Sequence, residues 1–354
     1  MDHDRWGVDS IPGGERGMAA RPRLSDVAAS AGVSMSTASR ALTGSGYVAA
    51  GVKVRVLGAA EQLGYVPNAH ARSLKAQRST TVGLLVSDLR NPFYAEVAAG
   101  ATGVLREEGY TVVLVDDAAS DKEELAAAHT FLATRVAGVL LTPVSGAATA
   151  FVRQHGLPVV EIDRQFSRGC DAVLIDNVAA AHELTTHLLR LGHRRIALLI
   201  DETDWTTGKG RLQGYTDAHR AAGMSVDDRL VIQSGFDAET VSAQARELLA
   251  LRKRPTALFA ANNLLAELAW RAAADAQLRI PTDLSLVGFD DAPWMSMVTP
   301  GITTVSQPAF ELGVRAARVL LSRIDKPARA RAVRLASRLI ERGSTAAPTG
   351  RRPR

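Results

Sequence analysis

Nine short aliphatic runs recur between residues 82 and 291, and they leave little choice of architecture. VGLLVSD (82–88), TVVLVD (111–116), GVLLTP (138–143), PVVEID (158–163) and AVLIDN (172–177) form one set. RIALLID (195–201), LVIQSG (230–235), ALFAAN (257–262) and SLVGFDD (285–291) form a second. Helical patterns such as 94–107 and 122–134 separate the earlier runs. Continuous Val/Leu/Ile strands joined by helical crossovers predict a parallel sheet covered on both faces. Two such doubly wound halves in tandem predict a ligand cleft between them, beyond the carboxyl ends of the strands.

Upstream, LSDVAASAGVSMSTASRALT (24–43) has a different period. Leu24, Val27, Ala28 and Ala31 recur at helical spacing, Gly32 tolerates positive φ, and Ser34 can cap a second helix that turns Ala38, Ala41 and Leu42 inward. This predicts a helix-turn-helix. Met35, Ser36, Ser39 and Arg40 share the opposite face of the second helix. An arginine there can grip guanine O6 and N7 in a major groove, while hydroxyls and the helix N-terminus (Ser34, Thr37) hold phosphates. From this stretch alone, a helical hairpin with a merely solvated polar face remains the alternative.

Residues 52–63 read as a third helix, followed by GYVPNAHARSLKAQRSTTVGLLVSD. With that the chain resembles the LacI/GalR family of bacterial transcription regulators from about residue 23 to about 346. The family pattern DVAxxAGVSxxTxSRxL is met by Asp26, Val27, Ala28, Ala31, Gly32, Val33, Ser34, Thr37, Ser39, Arg40 and Leu42, and LGYxPNxxARSL is met from Leu63 to Leu74. The resemblance implies a homodimer whose two headpieces occupy a palindromic operator on double-stranded DNA. It also implies that 67–78 is a hinge helix, too short to be stable alone, that orders on DNA. There Ala71 and Leu74 would contact the minor groove, the leucine wedging between base pairs; an ordinary polar linker is the alternative. Several positions depart from the pattern. Arg23 replaces a hydroxyl residue before the first helix, so the cap is expected at Ser25. Thr43 stands where Asn is common, and Ala49 and Val52 occupy polar capping and phosphate-contact positions.

Charge is unevenly spread over the 354 residues. The whole chain is +5, yet residues 21–78 carry +6, residues 79–325 carry −7, and residues 326–354 carry +8. A basic head on an acidic body suits docking on phosphates through one end. Residues 1–20 and the basic tail 346–354 are expected to be disordered, and Met18 is an alternative start. No apolar run approaches a membrane span and no signal segment opens the chain, so no membrane partner and a cytoplasmic location are expected. The single cysteine, Cys170, excludes an intrachain disulfide and is given no role.

The expected organisation is an all-α headpiece (21–66), the hinge (67–78), and a two-lobed α/β effector-binding and dimerisation domain (79–345), resembling periplasmic binding proteins. The first lobe is expected to comprise 79–177 with about 304–330, and the second 178–303 with about 331–345. TTVSQP (303–308) is read as crossing back to the first lobe, and VRLASRLIERGST as one closing strand. Asp88, Asn91, Phe93 and Tyr94 follow the first strand, Asp163 and Arg164 another, and Asp290 and Asp291 the last. Carboxylates accept from vicinal hydroxyls, arginine donates to ring oxygens and aromatics cover a sugar's apolar face, so the set suits a polyol or sugar. The family resemblance places effector contacts at Asp88, Phe93, Tyr94, Asp163, Arg211, Asn262 and Asp290, with Thr207 nearby. Trp205 and Trp294 are loop residues that could stack on a ring, and Asn263 replaces a frequent Asp.

Other chemistries fit less well. In HELTTH (182–187) the histidines are five steps apart, about 140° around a helix, and cannot easily share a metal. GKGRLQG (208–214) has neither dinucleotide-loop nor Walker spacing, and His193 reads as a helix-end residue. No nucleophile with its base, no metal set and no cofactor loop appears, so neither catalysis nor a cofactor is expected. A sugar-binding transport or receptor module shares the two-lobed body, but residues 24–74 have no place in it.

Overall fold

The computed structural model describes residues 22–44, 46–65 and 79–349. It divides into two units, Met1–Arg78 and Ser79–Arg354. The expected disordered extension (1–20), hinge helix (67–78) and last residues of the tail lie outside the described residues.

In the first unit, three helices, α1 (Leu24–Ala31), α2 (Met35–Thr43) and α3 (Ala50–Gln62), enclose a small core of alanines and valines. Val27, Ala28, Ala31, Ala38, Ala41, Val56, Ala59 and Ala60 are buried. Gly32 makes the turn at φ 64°, a conformation that disfavours a Cβ. The cap of α1 is not Ser25, which lies inside the helix. Arg23 takes that position, and the Asp26 carboxylate accepts from its backbone N–H at 2.7 Å, reaching back because the cap side chain lacks a hydroxyl. Val52 packs against the core.

The second unit holds two six-stranded sheets. The first contains β1 (Thr81–Val86), β2 (Thr111–Asp116), β3 (Gly138–Leu141), β4 (Val159–Ile162), β5 (Asp171–Ile175) and β11 (Ala332–Leu335), in the spatial order β11-β5-β4-β3-β1-β2, all parallel. The second contains β6 (Ile196–Ile200), β7 (Val231–Gln233), β8 (Ala257–Ala260), β9 (Ser285–Phe289), β10 (Thr303–Ser306) and β12 (Arg338–Ile340), ordered β12-β10-β9-β8-β6-β7, with β12 antiparallel.

Two lobe boundaries shift from the sequence reading. Residues 303–306 stay in the second sheet, pairing with β9, so the return to the first lobe follows Ser306. The closing run is two strands, β11 beside β5 in the first sheet and β12 beside β10 in the second. Each sheet thereby gains its edge strand late, and the chain passes between lobes after β5, β10 and β11.

Helices cover both faces, and two close crossings set their spacing. In the first lobe α4 (Pro92–Glu107) crosses α12 (Ala309–Asp325), where a Cβ on Gly100 would stand 2.0 Å from the Phe310 carbonyl oxygen and one on Gly313 2.0 Å from that of Val97. In the second lobe α7 (Asn177–Arg190) meets α8 (Thr206–Ala221), with Gly214 against the Val178 carbonyl. No helix among the described residues is long and apolar enough to cross a membrane.

Candidate functional site

The α2 surface follows from its cap. Ser34 Oγ accepts from the Thr37 backbone N–H at 3.2 Å and lies 2.9 Å from both Ser36 Oγ and Thr37 Oγ1. Ser34 and Thr37 thus build the helix start. Met35, 58% exposed, stands on the outer surface with Ser36 and Arg40, and Ser39 is half-buried. Arg40 Nε donates to the Ser36 carbonyl at 3.3 Å, laying the guanidinium along the helix toward its N-terminus. Ala71 and Leu74 lie outside the described residues.

The second site lies where the carboxyl ends of the two sheets face each other. β4 and β9 end in left-handed residues, Asp163 (φ 67°), Asp290 (φ 83°) and Asp291 (φ 53°), which turn the chain sharply at the strand ends. Between the lobes is a cavity of about 230 Å³. Ser87, Asp88, Tyr94 and Arg164 line it from the first lobe, and Asp201, Trp205, Phe236 and Asn262 from the second.

Arg164 organises this region. Its guanidinium donates to Ser87 Oγ (3.0 Å), the Pro143 carbonyl (3.2 Å) and the Tyr94 hydroxyl, and lies 3.6 Å above the Trp205 ring. Trp205 stacks on Phe236 with centroids 5.0 Å apart. Both faces of the tryptophan are therefore occupied, and it is only 7% exposed; Phe236, 47% exposed, is the aromatic surface left open. Asp163 Oδ2 stands 3.6 Å from Arg164 Nε, while Asp163 Oδ1 and Arg164 Nε are buried without a hydrogen bond. Burial pushes the Asp163 carboxyl up to about 6, against the opposing pull of Arg164 and Arg211, and raises Asp201 and the Tyr94 hydroxyl in the same direction.

The remaining candidates are distributed as follows. Asp88 is paired with Arg90 at 2.9 and 3.0 Å. Asn262 lines the cavity and donates to Asp201 Oδ2 at 2.8 Å. Phe93 is buried edge-on to Tyr94 and off the cavity wall. Thr207 is buried in the first turn of α8; its neighbour Thr206 reaches across instead, Oγ1 accepting from the Gln165 backbone N–H at 3.1 Å. Arg211 donates to Asn177 Oδ1 (2.9 Å) and the Ala261 carbonyl (2.6 Å) and lies over Phe289. Asp290 accepts from Gln307 (2.6 Å) and Asn263 (3.0 Å), and Asn263 also donates to Asn91 of the other lobe at 2.7 Å. Trp294 opens a short helix, Trp294–Met297, away from the cavity. Asp201 and Phe236 were missed by the sequence reading. Asp201 carried a readable signal, since it ends its aliphatic run as Asp88 and Asp163 end theirs.

Residues 23–68 match the model for bacterial regulatory proteins of the lacI family, and residues 185–345 that for a periplasmic binding protein-like domain. Over 326 residues the chain is 33% identical to the ribose operon repressor of Escherichia coli (strain K12), covering 91% of this chain and 99% of that one. The structure of the transcriptional regulator CelR in complex with cellobiose matches at 33% identity with a TM-score of 0.69, covering 92% of this chain and all of the other. The lac repressor dimer bound to operator and the anti-inducer ONPF matches at 26% identity with a TM-score of 0.82, covering 92% and 99%.

Proposed function

The chain belongs to the lacI family of bacterial regulatory proteins, and from that premise we propose that it is a homodimeric transcriptional repressor whose operator affinity is set by a small polyhydroxylated ligand, a sugar, held between the lobes of Ser79–Arg354. The observation that carries the ligand reading is the polar lining of the cavity, where Asp88 and Arg164 of the first lobe and Asp201 and Asn262 of the second surround one compact space. Each hydroxyl of a sugar is both donor and acceptor, so neighbouring hydroxyls can serve carboxylates and a guanidinium together. The cavity, at about 230 Å³, is below the roughly 300–1,000 Å³ of drug-sized sites, which favours a compact ligand. The open face of Phe236 suits the apolar face of a ring.

On DNA, Arg40, Met35 and Ser36 read bases in the major groove, and the Ser34 cap presents the helix N-terminus to a phosphate. Ligand and operator affinities are then coupled reciprocally. The relatives are transcription regulators, and the reading assigns this chain no reaction and a place in the cytoplasm with its DNA.

Thermal shift against pentoses, hexoses, sugar alcohols, sugar phosphates and purines tests the ligand. At a hundred times its dissociation constant a ligand adds about 2.7 kcal/mol; a shift with purines alone would replace the sugar class. Selection from random duplexes tests the DNA surface. Arg40→Ala should relax preference at one base pair per half-site, and unchanged selectivity would remove Arg40 from base reading.

A further inference from the structure

One strongly charged stretch is used by neither α2 nor the cleft. Between Asp325 and Glu341 the sequence has five basic residues, Lys326, Arg329, Arg331, Arg334 and Arg338, and no acidic one. Lys326, Arg329 and Arg331 form the exposed part of the loop that joins α12 to β11. β11 runs parallel to β5, with Ala332 opposite Ala172, so this loop lies at the amino-terminal end of the first sheet, the end away from the cleft. Arg153, in the last turn of the helix Ala147–Gln154, and Arg168, just ahead of β5, are exposed there too.

The loop backbone is fixed. The Asp171 carboxylate accepts two hydrogen bonds from Arg323 (2.7 and 2.8 Å) and a third from the Arg331 backbone N–H (3.0 Å). Arg323 also donates to the Arg329 carbonyl at 3.1 Å. Asp171 thus neutralises the inner cation and pins the loop, while the outer side chains stay exposed. A concavity of about 300 Å³ lined by Arg153, Asp171, Arg323 and Pro327 opens beside them.

Cations held on a fixed backbone, on a body whose residues 79–325 are net negative, fit a surface of regularly spaced negative charge. We propose that this basic end of the first sheet is a second, sequence-independent contact with DNA, gripping phosphates of the duplex that flanks the operator. The proposal rests on the DNA-binding reading above. Connectivity singles out duplex DNA among polyanions. β1 is parallel to β3, β4 and β5, so the chain from the headpiece enters this unit at the same end. Residues 66–78 reach at most about 45 Å, which keeps DNA held by α2 at high local concentration for this surface.

The test uses the full chain and a duplex that it selects from random DNA, made with the core alone and with about one helical turn added on each side. Flanks should tighten binding severalfold at roughly 0.1 M salt. The combined variant Lys326→Gln, Arg329→Gln, Arg331→Gln should lose that gain and keep its preference for the core. Its slope of log affinity against log salt should fall by about 0.9 per lost phosphate contact, up to about 5 for three cations on each of two protomers. Matching urea midpoints would show the variant folded, and Arg329→Gln alone should fall between it and the parent. Equal affinity and slope for parent and variant on the flanked duplex, the result expected if these cations instead meet an acidic protein, would overturn the proposal and leave the DNA-binding reading standing, as would equal losses on both duplexes, which would mean that the cations act on the core DNA rather than on its flanks. A parent chain that selects no duplex would overturn both.

Discussion

Replacing Asp163 by asparagine should make the protein more stable at neutral pH. Burial lifts this carboxyl from 3.8 to about 6. At roughly 1.4 kcal/mol for each pH unit, ionising it costs about 3 kcal/mol more in the folded chain than in the unfolded one. The cause is geometric: Oδ1 has no hydrogen-bond donor, and Arg164 Nε stands 3.6 Å from Oδ2, beyond hydrogen-bond reach. Since the folded value is the raised one, the group's contribution to stability is fully present below pH 3.8 and is lost as pH rises through about 6. Asparagine mimics the protonated form at every pH. Urea unfolding curves of parent and Asp163→Asn should therefore coincide near pH 4, separate between pH 4 and 6, and differ by about 3 kcal/mol at pH 7.5. Coincident curves at pH 7.5 would refute an uncompensated charge at this position.

Three further substitutions probe packing and the cavity. Gly313→Ala sets a methyl 2.0 Å from the Val97 carbonyl oxygen and should cost about 1–3 kcal/mol or more in urea unfolding, whereas Gly103→Ala on α4, with no atom within 4 Å, should match or exceed the parent. Equal stability of the two variants would contradict the close crossing of α4 and α12. Phe236→Ala removes the ring that is open to the cavity and should weaken ligand binding by about tenfold in titration calorimetry, with little change in unfolding. An unaltered affinity would move the aromatic platform elsewhere.

The sheets were legible because a strand buried on both faces must be continuously apolar, as VGLLV and IALLI are. The lobe boundaries were not. β11 and β12 are only half-buried edge strands, AVRL and RLI, separated by two residues, and nothing in their period distinguishes two sheets from one strand. Strand-end acids could be located because they close aliphatic runs, but which of them face the cavity could not: Asp88 and Asp201 line it, whereas Asp163 and Asp290 do not, Asp290 being held by Gln307 and Asn263. The role of Trp205 could not be read, since its faces are filled by Arg164 and Phe236, which lie about forty positions before and thirty after it in the chain. Ser25 was misplaced as a cap because Asp26 can reach back to the Arg23 backbone, a local exchange that side-chain type alone does not reveal.

The interleaving of the two lobes also dictates an order of manufacture. A chain emerging from the ribosome displays its helix-turn-helix first, complete by Tyr65. The first sheet must then wait, with α4 uncovered along Gly100, until α12 and β11 have been made, and by that point all of the second sheet except β12 is already out. Neither lobe can mature ahead of the other. A nascent chain interrupted between about residues 65 and 340 keeps a complete helix-turn-helix but leaves at least one sheet without its edge strand, exposing apolar surface. The topology thus ties completion of both lobes to the last strands of the chain.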